Sequence, residues 1–187
     1  MDVDVFYRAP YATDTEAYRS FIRQICETEQ IDYVLPLTDI EIDVFQQWRQ
    51  EDQNCPGGRA VVCMSDRETI HLCRNKRRAA QLLDAQKICR TIPGKRLSEL
   101  LETLENSGQE GLAGLSYPLV IKPEDGRSSQ GLRRIFDFRE MELAVSQLRE
   151  QAEHYLVQPM ISGGITTVDV VRSPETGRCV CLPRREL

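Results

Sequence analysis

The residues best suited to chemistry lie in Ser116 to Leu132, SYPLVIKPEDGRSSQGL, where a short apolar run ends in a lysine and enters a loop with glycines at 126 and 131. In an extended strand alternate side chains point to opposite faces, so Leu119 and Ile121 share one face while Val120 and Lys122 share the other. Lys122 is therefore aimed, not merely exposed. In the loop that follows, the small residues Gly126, Ser128, Ser129 and Gly131 let backbone N–H groups approach an anion closely and form a nest. An ammonium and a set of amide donors can together hold a polyphosphate.

Two familiar nucleotide motifs fail against this segment. Gly126 and Gly131 have the glycine spacing of a P-loop, but Leu132-Arg133 follows where that motif needs a lysine and a magnesium-binding hydroxyl. A protein kinase places its glycine loop before its lysine, whereas here Lys122 comes first and no H-R-D or D-F-G follows. The plainer alternative is an edge-strand charge followed by an ordinary hairpin turn.

The elements that must position this segment follow from apolar spacing. Asp2 to Phe6 reads as a short strand, and a helix capped near Thr13 to Thr15 carries Tyr18, Phe21, Ile22, Ile25 and Cys26 on one stripe. Ile31 to Leu37 reads as a buried strand, Thr38-Asp39 starts a helix through Ile42, Phe45 and Trp48, and Ala60 to Met64 is the next strand. Ser65-Asp66 caps a short helix. This alternation favours a parallel sheet covered by helices. A boundary falls close to residue 75, where Asn75 caps a helix reaching Ile88. Leu97 to Ser107 is a further helix, and GQEGLAGLS reads as a flexible joint. Beyond the glycine loop come a strand at Leu132 to Phe136, a helix from Arg139 to about Gln151, the strand HYLVQPM, and two strands around Ile165 to Arg172 and the chain end. The second half is thus antiparallel with helices.

Composition narrows the function. The 187 residues are 41% hydrophobic, enough for one core or two small ones, and the net charge of −5 argues against general nucleic-acid or acidic-membrane binding. The chain contains no apolar run of the ~20 residues needed to span a bilayer, and MDVDVFYRAP lacks a signal pattern, so the expected location is the cytoplasm. The seven cysteines form no C-x-x-C pair and read as reduced core residues; no metal ligand is assigned.

Four blocks in order, IDYVLPLTDIEIDVF, CRNKRRAAQLL, PLVIKPEDGRSSQGL and YLVQPMISGGITTVDVV, resemble the ATP-grasp superfamily, specifically its carbamoyl-phosphate-synthase-large-subunit-like branch. The resemblance implies an α/β chain in which a partial Rossmann-like parallel sheet (residues 1–74) precedes an incomplete ATP-grasp α+β unit with an antiparallel sheet (75–187). It implies that ATP is the cofactor, that Lys76 (or Arg77) and Lys122 contact its phosphates, and that the loop from Gly126 to Gly131 closes over them. It also implies that Gln158, Met160 and Ile161 form the hinge that receives adenine. Two positions depart from the family pattern: Pro159 and Ile165 stand where members commonly carry glutamates, the second of which holds ribose hydroxyls. An isoleucine cannot accept those bonds, and Asp169 is the nearby candidate to substitute.

The implied function is the ATP-binding portion of a ligase that activates a carboxylate as an acyl phosphate and passes it to an amine or similar nucleophile. Arg184 or Arg185 would sit near the transferred phosphate or the carboxylate, since a guanidinium suits planar anions; the alternative for both is a charged chain end. The family's Mg2+ is implied too, but its ligands are expected beyond LPRREL, outside this chain, and both ends look cut, as in a fragment or a shortened relative. The other reading is a non-catalytic nucleotide-binding or interaction module. Implied partners are ATP and carboxylate and amine substrates that the residues do not identify, with no nucleic acid and no membrane; homo-oligomerisation is left open.

Overall fold

A computed structural model describes residues 3–126, 130–173 and 175–185. The chain divides into two compact units, Met1–Cys73 and Arg74–Leu187.

In the first unit, helix α1 (Thr15–Thr28) starts at Asp14, whose carboxylate accepts the Ala17 N–H. Strand β1 (Tyr33–Val34) is joined through helix α2 (Asp39–Glu51) to β2 (Val61–Val62), and the two strands pair in parallel. Thr38 and Glu41 cap α2 reciprocally, each side chain accepting the other residue's N–H. Tyr18, Val44, Phe45, Trp48 and Val62 form the core, with Phe45 stacked on Trp48 at 5.9 Å and meeting Tyr18 edge-on at 6.2 Å. Helix α3 (Arg67–Arg74) follows. Two expectations fail here. Residues 3–6 form no strand, and the seven-residue strand at Ile31 to Leu37 shrinks to two residues. A strand lasts only as long as its ladder: Leu35 and Leu37 are exposed, so no packing extends it.

In the second unit, α4 (Lys76–Ala85) is followed by β3 (Lys95–Arg96), α5 (Leu97–Ser107), β4 (Leu119–Pro123), β5 (Arg133–Ile135), α6 (Phe138–Leu148) and β6 (Tyr155–Pro159). The strands form an antiparallel sheet in the order β3-β6-β4-β5. Leu97, Leu100 and Leu104 of α5 and Met141, Ala144 and Leu148 of α6 cover one face, where they meet Leu119, Ile121, Ile135 and Val157. The opposite face is left for other work. Strands β7 (Thr166–Arg172) and β8 (Cys179–Arg185) make a separate antiparallel ribbon.

Within the segment read as a joint, Gly108–Leu112 is a 3-10 turn that buries Leu112 in the core. Gly111 lies so close to α5 that a β-carbon would stand 2.2 Å from the Thr103 carbonyl oxygen, and Thr103 Oγ1 donates to the Gly111 carbonyl at 2.8 Å. The cysteines also depart from expectation. Cys26 is buried and Cys55 half-buried, but Cys63, Cys73, Cys89, Cys179 and Cys181 are exposed and all are free thiols. Cys63 and Cys89 lie outside the helices and strands, Cys73 is near the end of α3, and Cys179 and Cys181 stand on an exposed strand, so an apolar neighbour in sequence is no guarantee of burial.

Candidate functional site

The face of the four-stranded sheet that points away from α5 and α6 carries the aimed lysine. Leu119 and Ile121 are fully buried toward the helices, so Val120 and Lys122 necessarily face the other way. Register extends that face sideways: Val120 lies between Gln158 of β6 and Arg134 of β5, and Lys122 stands beside Leu156. A cleft of about 530 Å3 opens there. Its lining includes Val120, Lys122, Arg134 and Pro159 from the strands, Met160, Ile161 and Ile165 from the segment after β6, and Ile92, Leu132 and Phe136. Burial, and secondly the charge of Lys76, push the Lys122 pKa below the ordinary lysine value. Such an ammonium gains from an anion.

Gln158 is buried, and its amide donates to the Ile92 carbonyl at 2.8 Å, which fastens the segment before β3 to β6. Gly94 makes this fit, since a β-carbon there would come within 2.8 Å of Gln158 Cγ. The Met160 N–H donates to the Pro118 carbonyl at 2.9 Å and ties the end of β6 to the start of β4. Gln158 thus serves as a brace, and the cleft wall beyond it is set by Pro159, Met160 and Ile161.

At the end of β4 the chain is pinched. Gly126 and Gly131 flank the Pro123 ring, and a β-carbon at either would approach it to 2.8 or 2.9 Å; Gly131 also has φ +72°, which glycine adopts without strain. Lys76, the first residue of α4, sits beneath this pinch. Its Nζ donates to the Gly126 carbonyl at 2.5 Å and lies 3.3 and 3.4 Å from those of Pro123 and Glu124, and its N–H donates to the Glu124 carbonyl at 2.9 Å. Arg77 points elsewhere and pairs with Glu99 at 2.6 Å. Of the two neighbours, Lys76 is the one brought to the loop. Ser128 and Ser129 lie outside the described residues.

Arg184 and Arg185 stand on β8, opposite Thr167 and Thr166 of β7. Neither they nor Lys76 line the cleft. The Arg184 guanidinium grips Asp169 through Nε at 2.6 Å and Nη2 at 3.1 Å, and this hydrogen bonding holds the Asp169 carboxyl below its usual range. Asp169 is therefore committed to Arg184 and is not the spare acceptor expected from its place in the chain. Arg185 lies beside Gly164. Arg134, Ile92, Leu132 and Phe136 were not singled out from sequence; alternation outward from the core residue Ile135 is the signal that places Arg134 on the cleft face.

The sequence from 73 to 187 matches the family model described as the ATP-grasp domain. The chain belongs to the ATP-grasp family. The ATP-grasp chain resembles the L-amino acid ligase from Bacillus licheniformis over 93% of its length (22% identity, TM-score 0.57) and 37% of that protein's. It resembles a biotin carboxylase–β,γ-ATP complex from Campylobacter jejuni over 90% of itself and 38% of that chain (16%, 0.65). A third neighbour is the biotin carboxylase domain of the Hydrogenobacter thermophilus 2-oxoglutarate carboxylase, bound to MgADP, ADP and bicarbonate; it matches 89% of this chain and 37% of that one (13%, 0.62). At these identities the likeness concerns the fold alone. The chain thus spans less than two fifths of each of these three neighbours. No curated protein matches the sequence.

The described residues hold no group of three or more metal-ligating side chains, and the charged groups of the cleft wall are the cations Lys122 and Arg134. No helix among them is long and apolar enough to cross a membrane. A second cavity of about 540 Å3, in the first unit, is an ion-pair network: Arg19 and Arg23 lie over Trp48 and pair with Glu51 and Asp52.

Proposed function

We propose that the cleft on the sheet face opposite α5 and α6 binds ATP, with adenine against Pro159, Met160 and Ile161 and the phosphates toward Lys122, Lys76 and the loop from Gly126 to Gly131. The observation that carries this reading is Lys122, a half-buried ammonium at the cleft wall with a second ammonium held beneath an adjoining glycine-bounded loop. The chain is then the nucleotide-binding part of an ATP-dependent ligase, similar to the carbamoyl-phosphate synthase large subunit, and the first unit is the end of a preceding Rossmann-like domain. In such a reaction a carboxylate oxygen attacks the γ-phosphorus and ADP leaves; the amine then attacks the acyl carbon and phosphate leaves. Positioning and neutralisation of phosphate charge are what the protein supplies, and Lys122 and Lys76 are the groups assigned to both. Arg184, already oriented by Asp169, and Arg185 are assigned to the transferred phosphate or the carboxylate.

A second reading, a nucleotide-binding module without turnover, is favoured by the two apolar residues Pro159 and Ile165 in the cleft wall. Calorimetric titration of the chain with ATP, with and without magnesium, tests the reading: saturable binding is expected. Absence of heat and of thermal shift with folded protein refutes the nucleotide assignment. Binding without turnover, once carboxylate and amine candidates have been supplied, selects the second reading.

A further inference from the structure

Glu124 is the buried carboxylate that this scheme leaves without a task. It is 5% exposed and sits two residues beyond Lys122. A carboxylate is kept out of water only where partners replace its hydration. Glu124 has them: Arg96 donates from Nε at 2.7 Å and Nη2 at 3.2 Å, and Asn75 donates from Nδ2 at 3.1 Å. Burial pushes its pKa up, but the bonds from Arg96 and Asn75 outweigh that and hold the carboxyl below its usual range. Arg96 is joined from a second side by Glu153 at 3.5 Å.

The partner Asn75 matters most. Its Oδ1 accepts the Arg78 N–H at 2.9 Å and so caps α4, while its Nδ2 is turned to Glu124. One amide is used at both ends, which sets the first turn of α4 against the end of β4. Lys76 is the next residue, and the Glu124 backbone completes the tie by accepting the Lys76 N–H. The position of the Lys76 ammonium under the Gly126 carbonyl thus depends on Glu124 through two routes, side chain and main chain.

We propose that Glu124 is a positioning residue that holds Lys76 at the base of the glycine loop and so sets the affinity of the site for the β- and γ-phosphates of a nucleotide. This rests on the nucleotide reading above. A group that acts through Lys76 affects polyphosphates and leaves the base and α-phosphate untouched, whereas a purely structural carboxylate affects every ligand alike.

The experiment compares ADP and AMP binding to the whole chain, in wild type, Glu124→Gln, Lys76→Ala and the double variant. Glu124→Gln is expected to weaken ADP roughly tenfold, the size of one lost charge-assisted hydrogen bond, with AMP unchanged, and to add nothing in the Lys76→Ala background. If Glu124→Gln does not fold, Asn75→Asp cuts the same link from the other side. It keeps a capping oxygen for Arg78, removes the donor to Glu124, and is expected to give the same ADP-selective loss. Equal losses for AMP and ADP, or additive losses in the double variant, overturn the proposal and leave the nucleotide reading standing. Wild-type protein that binds neither ligand overturns both.

Discussion

Replacing Lys122 by methionine separates its charge from its packing. The substitution keeps an unbranched apolar chain beside Leu156 and removes the ammonium. A charge-assisted hydrogen bond contributes about 1.5–3 kcal/mol, which is roughly 10- to 150-fold in Kd. Lys122 belongs well inside that range, because burial and the charge of Lys76 already disfavour its ammonium in the empty protein, so an arriving phosphate relieves an existing penalty. The same argument makes a second, opposite prediction. Without ligand, the variant is more stable by about 0.5–1 kcal/mol, the size of a partly screened like-charge contact, or about 2–5 °C in melting temperature. Thermal unfolding with and without ADP reads both effects in one assay: the melting temperature rises in the empty variant, and the ADP-induced increment falls. A variant with raised melting temperature and unchanged ADP affinity refutes the reasoning, since Lys122 would then be a buried charge that touches no phosphate.

The lowered Lys122 pKa also predicts how stability and affinity change with pH. Between that lowered value and the ordinary lysine value of ~10.4 the unfolded chain holds more protons at this site, so its contribution to stability rises with pH while nucleotide affinity falls. The measurement is the difference between wild type and Lys122→Met across alkaline pH. Burial pushes up the pKa values of Tyr18 and, to about 11, Cys55, and both groups pull total stability the other way. A difference curve that is flat in pH counts against the assignment. Ile121→Ala, at a fully buried position between the sheet and its helices, is expected to cost about 2–5 kcal/mol, read as a lower urea midpoint; a loss under 1 kcal/mol would show that the core collapses around the gap. Phe45→Ala removes the ring between Tyr18 and Trp48 and is expected to cost about 3–5 kcal/mol, seen as a lowered denaturation midpoint in tryptophan fluorescence.

The spacing of PLVIKP alone told which face Lys122 takes, because strand alternation is a local property and burying Leu119 and Ile121 leaves it one direction. Helices α1, α2 and α5 were legible for a similar reason: Asp14, Thr38 and the Leu97 to Leu104 stripe carry cap and core signals within a few turns. The two-residue strand β3 was not legible. Lys95 and Arg96 have no strand signal and become one only by pairing with Leu156 and Val157, some sixty residues away. Leu112 likewise sits in a glycine-rich stretch that reads as a joint, and only the closeness of Gly111 to Thr103 draws it into the core.

For the site, the residue types and their order were enough to mark a lysine strand and the glycines that bound the loop after it. What they do there was decided by contacts that distant segments make. The choice between Lys76 and Arg77 depends on which partners await them, the loop carbonyls for one and Glu99 for the other. Asp169, a candidate acceptor by sequence, is claimed by Arg184 across the ribbon. Glu124, an unremarked loop residue, becomes a buried hub joining Asn75 and Arg96. Periodicity and capping act over a few residues and can be read along the chain; the pairing of buried charges is set by which groups lose water together, and that is settled only when strands and helices far apart in sequence close on one another.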